Sequence, residues 1–324
     1  MKTQIKKLIV NIPAYNEEKV IQQTVKSIPR DLPGVEKVLI QVVDDGSQDQ
    51  TAILAAKAGA DIVISHETNR RLGAVFNTAV ESAIDHRADI MVNIDADGQF
   101  DPRQIPEMID PLLAGRADIT IGDRFNRGQA QDIPWIKNIL NRLAAKIVGL
   151  FLNTEIHDLT CGFRAHNREA LLRLNKVHGF TYTQETIIDA LGKNLKLKWI
   201  PVKVKYFPDR QSRIVKTVWS FVNNSAKVII KAVRDVRPMK FFGIPGLILI
   251  ILSLLFFAIF LSLYLPELKI SPYRNHLLVS IAFFLVGLQF IVFALLADMI
   301  KTNRRISEEI IYRERLARWR KRSN

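Results

Sequence analysis

VLIQVVDDGSQDQT, residues 38–51, is the stretch that decides the fold. Val38–Val43 is a short, mostly aliphatic run, the length of a buried strand. The polar turn that follows has its own logic. Gly46 lets the chain turn, Ser47 or Asp49 can cap a helix, and Thr51 begins one that reads to Ala58. Strand, polar turn and helix together make half of a β-α-β unit.

The same order repeats outward in both directions. Leu8–Ile12, Ile62–Ile64, Ile90–Ile94 and Ile119–Gly122 read as further short buried strands. Glu17–Ile28, Ala74–Asp85 and Pro102–Leu113 carry helical patterns between them. Repeated β-α-β predicts the α/β class, a mostly parallel sheet with helices on both faces. Ligands of such sheets bind beyond the carboxyl ends of the strands. Three polar clusters stand at those ends: PAYNE (Pro13–Glu17), DDGSQDQT (Asp44–Thr51) and DADGQ (Asp95–Gln99).

DADGQ places Asp95 and Asp97 two apart, with Gln99 two further on. Hard oxygen ligands suit Mg²⁺ or Mn²⁺, and Mg²⁺ is commonly held by one or two carboxylates plus substrate phosphates. The pattern therefore predicts a diphosphate ligand; a turn merely capped by aspartates is the plainer reading. In DDGSQDQT the adjacent Asp44 and Asp45 cannot both be caps, which leaves one to accept hydrogen bonds from a nucleobase or ribose. Tyr15 offers a stacking face, and Glu17 can contact the ribose or serve as a first-turn acid. There is no G-x-x-x-x-G-K-[ST], no G-x-G-x-x-G after the first strand and no G-x-S-x-G elbow. The histidines lack zinc spacing. With Cys161 the only cysteine, an internal disulfide is excluded and a cysteine-ligated metal disfavoured.

The chain has 324 residues and a net charge of +14, with 48% apolar residues. Lys203–Lys240 holds 10 basic and 2 acidic residues, and Lys301–Asn324 holds 9 and 3, so the remainder is neutral as a whole. Between those stretches lie Phe241–Leu265, 25 residues without a charge, and Leu277–Ala297, 21 residues interrupted by Gln289 and Ser280. A transmembrane helix needs about 20 apolar residues, so both segments qualify. The basic flanks predict both termini in the cytoplasm, and the short apolar run after Met1 is no signal peptide. Val215, Val218, Trp219, Val222, Ala226, Ile229, Ile230 and Val233 share one helical face, which predicts an amphipathic helix lying on anionic lipid. The organisation expected is a catalytic domain over 1–212, an interfacial helix over 213–236, a two-helix anchor over 240–300 and a basic tail over 301–324. The membrane flanks account for the positive charge, so no nucleic-acid partner is expected.

In this order the three clusters resemble those of family 2 glycosyltransferases of the GT-A fold. More closely, the chain resembles the dolichol-phosphate mannose synthase group and its bacterial polyprenyl-phosphate relatives, over about residues 5–215. The later motifs agree. Gly122, Asp123 and Arg124 match the family's G-S-R. Asp158–Arg164 (DLTCGFR) resembles D-x-x-S-G-F-R, with Cys161 replacing Ser. Glu185 matches a glutamate in the helix after that loop, and Arg210, Ser212 and Arg213 resemble the R-x-G-x-S-K acceptor loop. There are departures. That loop is short, lacks its glycine and ends in Arg213, not Lys. A family arginine after Pro134 is replaced by Lys137 or displaced to Arg142, and Arg71 stands where the family often has glycine.

The resemblance implies a GT-A, Rossmann-like fold and inverting transfer from a nucleoside-diphosphate sugar, UDP-glucose first and GDP-mannose next. The acceptor implied is a polyprenyl (undecaprenyl or dolichyl) phosphate at the inner face of a bacterial plasma membrane. Pro13, Tyr15, Glu17, Asp44, Asp45 and Asp95 would hold the nucleoside. Asp95, Asp97 and Gln99 would hold Mg²⁺ or Mn²⁺ on the diphosphate. Arg124, Lys137, Arg210, Ser212 and Arg213 would clamp phosphate. Asp97, Arg124, Asp158 and Glu185 would form the catalytic centre. A phosphate monoester acceptor is largely dianionic at pH 7, so no indispensable catalytic base is expected. A homo-oligomer is implied as well, and small residues around the first span point the same way. Two rival readings remain. A processive polysaccharide synthase would usually add a Q-x-x-R-W motif, which is absent. A catalytically inactive membrane adaptor would have little use for intact acidic clusters.

Overall fold

The expected strands pair, with two more, into one sheet. They are β1 (Ile5–Ala14), β2 (Val35–Asp44), β3 (Ile62–Ser65), β4 (Ile90–Asn93), β5 (Ile119–Asp123), β6 (Arg164–Asn167) and β7 (Leu197–Pro201). Their order is β3-β2-β1-β4-β6-β5-β7. The computed structural model describes residues 5–125, 135–174, 182–205, 233–268 and 270–321, with single positions between 223 and 230. The chain divides into two compact units, one of Met1–Ile229 with Glu308–Asn324 and one of Ile230–Ser307.

Strand β1 sits at the centre of the first unit because it is apolar on both faces: Leu8, Ile9, Val10 and Ile12 are all buried. It pairs parallel with β2 on one side and β4 on the other. The chain winds outward to β3 and then returns to β4, so the strand order reverses beside β1, where sheets of this kind form their ligand crevice. The register sets Ala14 beside Asp44 and Asn11 beside Asn93, which brings the three polar clusters level. Among the named strands of the described residues, only β6 runs antiparallel, against both β4 and β5. It was not expected. Its residues, Arg-Ala-His-Asn, give no hydropathy signal, yet Arg164, Ala165 and His166 are buried.

The helices of this unit are α1 (Ile21–Ser27), α2 (Thr51–Lys57), α3 (Arg71–Asp85), α4 (Ile105–Leu113), α5 (Trp135–Leu152), α6 (Arg168–Arg173) and α7 (Tyr182–Gly192). α1 starts later than the expected Glu17. Asn16 takes a left-handed φ of 52° and the Glu17 amide donates to Thr51 Oγ1 at 2.8 Å, which pins this stretch to the neighbouring loop.

The second unit holds α8 (Ile244–Glu267) and most of α9 (Arg274–Lys321). Both are long and apolar enough to cross a membrane, and few of their apolar residues are buried. Gly246 and Gly287 meet so closely that a Cβ on either would lie 3.0 Å from the other's carbonyl oxygen. Below them, Ser280 Oγ donates to the Ser253 carbonyl at 3.0 Å. Small residues and a buried hydroxyl are the usual cement between membrane helices. Gly246 of the first span thus packs within the chain, against the second. The expected interfacial helix lies largely outside the described residues.

Candidate active site

The loops after β1 and β2 are laced together. The Asn16 amide donates to Ser47 Oγ at 2.8 Å, and the Gln48 amide to Asn16 Oδ1 at 2.9 Å. The Glu18 amide reaches Asp49 Oδ2 at 3.2 Å. These bonds join PAYNE, after β1, to DDGSQDQT, after β2, in one double loop. Asp49 also accepts the Thr51 amide at 3.0 Å in a turn just ahead of α2. The N-cap position itself is Gln50, without a side-chain cap, so neither Ser47 nor Asp49 is the expected cap.

Asp44 and Asp45 are both buried and differently employed. Asp44 accepts from the Ser47 amide and hydroxyl. Asp45 accepts the amides of Arg70 at 2.9 Å and Arg71 at 2.8 Å, and lies 2.8 Å from His66 Nδ1. His66 Nε2 in turn lies 2.9 Å from Thr78 Oγ1 on α3. Asp45 therefore fixes the start of α3 under the double loop. Arg71 has φ 70°, so the position at which the family often has glycine is left-handed in this chain. Gly46 is doubly required: its φ is +73°, and a Cβ would lie 2.7 Å from the Thr68 carbonyl carbon.

The acidic pair stands beyond β4. Asp95 is partly accessible yet walled by protein. Burial first, then the neighbouring Asp97 charge, pushes its carboxyl up to about 7, against the pull of Arg124 and Arg164. The Gln99 amide donates to Asp97 Oδ1 at 3.0 Å, and the Gln99 carbonyl accepts from the Lys205 amide. No group of three His, Cys, Asp or Glu side chains fit for a metal stands among the described residues. The chain offers two carboxylates, one costly to ionise alone, which fits a small divalent cation completed by a diphosphate.

A cation held by this pair would displace the proton that the raised Asp95 carboxyl retains. Titration of the full-length protein with Mn²⁺ at pH 6, in buffers of different ionisation enthalpy, should show proton release that disappears by about pH 8. Without metal, the raised carboxyl lowers stability as pH climbs from the ordinary carboxylate range through about 7. Added Mn²⁺ should accordingly raise Tm more at pH 8 than at pH 5.

Gly162 is what admits the Asp95 carboxylate. A Cβ there would lie 2.7 Å from Asp95 Oδ2 and 2.9 Å from Oδ1. Gly162→Ala should weaken Mn²⁺ binding at least tenfold while costing about 1–3 kcal/mol of stability, the usual range for overpacking. Calorimetric titration beside thermal melting separates the two effects.

Beneath the acids, Arg124 grips Asp158 with Nε at 2.7 Å and Nη2 at 3.0 Å, and its Nη2 reaches Thr160 Oγ1 at 2.6 Å. Asp158 is fully buried. Burial pushes its carboxyl up, but the Arg124 charge and hydrogen bonds outweigh it and hold it below the usual range. Such a carboxylate is a poor base and a good anchor. Arg164, also buried, donates to the carbonyls of Cys161, Thr183 and Leu159 and to Thr186 Oγ1. It ties the DLTCGFR loop to α7, whose first turn carries a half-buried Glu185. Burial raises the Cys161 thiol to about 12, so it packs and does not react.

Pro13, Tyr15 and Glu17 lie at or just after the end of β1, Asp44 and Asp45 at the end of β2, Asp95, Asp97 and Gln99 after β4, and Arg124 after β5, bonded to Asp158; Glu185 stands in the first turn of α7. Lys137 lies on α5, where only the backbone is described, and Arg142 Nη2 reaches the Phe125 carbonyl at 3.4 Å. Arg210, Ser212 and Arg213 lie outside the described residues. Sequence reasoning missed His66, Thr78, Gly162, Arg164 and Tyr182. The G-F-R of DLTCGFR was the signal for two of them.

The Glycosyl transferase family 2 model matches residues 9–174. An uncharacterized protein of Methanocaldococcus jannaschii is 33% identical over 66% of this chain and 88% of its own length. Polyprenol monophosphomannose synthase of Mycolicibacterium smegmatis is 34% identical over 52% of this chain and 64% of its own. Among solved structures, glucosyl-3-phosphoglycerate synthase from Mycobacterium tuberculosis, in complex with Mn²⁺, uridine diphosphate and glucosyl-3-phosphoglycerate, shares the fold. It has a TM-score of 0.54 at 23% identity, over 72% of this chain and 80% of that one. The family match spans the sheet from β1 through β6 and all three polar clusters: this chain belongs to glycosyl transferase family 2 and is a glycosyltransferase.

Proposed function

We propose that the protein transfers a hexose from a nucleoside-diphosphate sugar to a polyprenyl phosphate, with inversion, at the cytoplasmic face of a membrane. The observation that carries this reading is the Asp95–Asp97 pair, level with the laced loops, in a chain that also bears two membrane-length helices. A relative named for polyprenol monophosphomannose synthesis supports the lipid-phosphate acceptor. So does α5, which exposes Leu143, Ile147 and Leu150 at helical spacing beside Arg142 and Lys146, a pattern suited to lipid headgroup depth.

In this reading Tyr15 and Glu17 meet the nucleoside, with Asp44 and Asp45 holding the loops that receive it. Asp95 and Asp97, with Gln99 beside them, hold Mg²⁺ or Mn²⁺, which when bound offsets charge on the diphosphate. Arg124 and Asp158 fix the loop beneath the acids. Lys137, Arg210, Ser212 and Arg213 are the acceptor-phosphate candidates. An oxygen of the lipid phosphate attacks the anomeric carbon from the face opposite the leaving nucleoside diphosphate. The new C–O bond forms as the old one breaks, and the configuration inverts. The phosphate monoester has its second pKa near about 6, so it is already an anionic nucleophile and needs no base. That agrees with the depressed carboxyl of Asp158.

The test is transfer of radiolabelled sugar from a panel led by UDP-glucose and GDP-mannose to undecaprenyl phosphate, by full-length protein in detergent with Mn²⁺ or Mg²⁺. Label entering the organic phase, and lost with EDTA, names the donor. Label only in polymer or free sugar contradicts the reading.

A further inference from the structure

Glu308–Lys321, beyond both membrane-length segments, belongs to the same compact unit as the sheet. The stretch expected as a basic tail, touching lipid headgroups or solvated, is from Glu308 the end of helix α9, seated on α3 and α6. Arg315 is its anchor, only 4% exposed. Its Nε and Nη2 donate to Glu81 Oε1 at 3.2 and 2.7 Å. Its Nη1 donates to the Leu172 and Leu174 carbonyls at 3.3 and 2.6 Å. Those carbonyls close α6, where the last carbonyls of a helix have no N–H donor of their own, so Arg315 caps a helix some 140 residues away in sequence.

The surrounding contacts are specific. Arg318 reaches Glu81 Oε2 at 2.6 Å and Asp85 Oδ1 at 3.5 Å. Tyr312 donates to Glu169 Oε2 at 3.2 Å and lies under the Arg173 guanidinium, while Arg168 covers Trp319. Burial pushes the Glu81 carboxyl up, but Arg318 and Arg315 outweigh it and hold it below the usual range. A guanidinium buried with its donors matched is a built contact.

The helix being gripped is the one that organises the donor site. The amides of Arg70 and Arg71, at the start of α3, hold Asp45, and Thr78 holds His66. On the inner side of α3, Ser82 starts a buried relay. Ser82 Oγ donates to Gln41 Oε1 at 2.6 Å, Gln41 Nε2 to Asn11 Oδ1 at 2.9 Å and Asn11 Nδ2 to Asn93 Oδ1 at 2.7 Å. Asn93 Nδ2 then donates to Tyr182 Oη at 2.8 Å, and Tyr182 to the carbonyl of Gly162, the residue against Asp95.

We propose that Arg315 is a positioning residue for the donor site: by gripping Glu81 and the end of α6 it fixes α3, and α3 fixes Asp45, His66 and the relay to Gly162. The inference rests on the proposed reading of that site as a nucleoside-diphosphate site.

The test uses full-length protein in nanodiscs, with UDP and GDP as probes in the presence of Mn²⁺. Arg315→Ala should raise the nucleotide Kd at least tenfold and speed amide exchange over both 308–321 and 66–78. Arg315→Lys should not rescue it, because an ammonium cannot span Glu81 and two carbonyls as the planar fork does. Arg318→Ala, at a 40% exposed side chain, should stay folded and raise Kd by two- to fivefold; it decides the matter if Arg315→Ala does not fold. Unchanged Kd with exchange showing the segment released would overturn the proposal. Wild-type protein that binds neither nucleotide would overturn the site reading itself, and the proposal with it.

Discussion

Asp97→Asn is expected to lower sugar transfer by about a thousandfold, equivalent to about 4 kcal/mol of transition-state stabilisation. The substitution keeps the shape of the side chain and removes one of two carboxylates available to a divalent cation. It also removes the like charge that helps to raise Asp95. The metal-free variant at pH 8 should therefore melt no lower than wild type, since one cost of ionising Asp95 is gone. Activity falls while stability holds or rises. A loss of both together would mean that Asp97 serves the fold and not the reaction. Transfer assays across Mn²⁺ concentrations, beside calorimetric melting at pH 8, distinguish the cases.

Asp158→Ala is expected to have the largest effect on stability, about 3–5 kcal/mol, because it strands the Arg124 guanidinium in a nearly closed site. Arg124→Ala strands the fully buried carboxylate and should cost a similar amount. The double variant should cost much less than the sum, which denaturant titration of all three proteins would show. The sign of the pH dependence follows from the depressed carboxyl. The folded protein holds Asp158 ionised below the usual carboxylate range, so its contribution is present at neutral pH. That contribution is lost as pH falls below about 4, where the unfolded chain takes up the proton first. An Asp158→Asn variant should be markedly less sensitive to acid than wild type.

The fold was legible where strands are apolar. β1, β2 and β4 announce themselves because a parallel strand buried on both faces must be aliphatic throughout. The polar clusters at their ends were legible because soluble turns rarely need two adjacent aspartates and a second acidic pair at the next strand end. β6 was hidden: Arg164 and His166 look like surface residues and are buried, Arg164 because carbonyls and a threonine hydroxyl surround it. The sequence shows that Asp44 and Asp45 matter, but their separate employment depends on His66, Arg70 and Arg71, which arrive from the loop after β3. Gly162 could be known as a motif glycine, though its contact with Asp95 exists only once two distant segments meet. The C-terminal segment was the least legible. A run of arginines after a membrane span reads as a lipid-facing or solvated end, and only the position of Glu81 on α3 shows where Arg315 goes.

The most direct test of the central claim is the structure of the product. Full-length protein, an α-linked nucleoside-diphosphate hexose, undecaprenyl phosphate and Mn²⁺ would be combined, and the lipid product read by phosphorus and proton NMR. A phosphodiester joining the lipid phosphate to the anomeric carbon in the β configuration is the predicted result. A retained α linkage, a sugar attached elsewhere than phosphate, or a polymer in place of a single transferred hexose would contradict it.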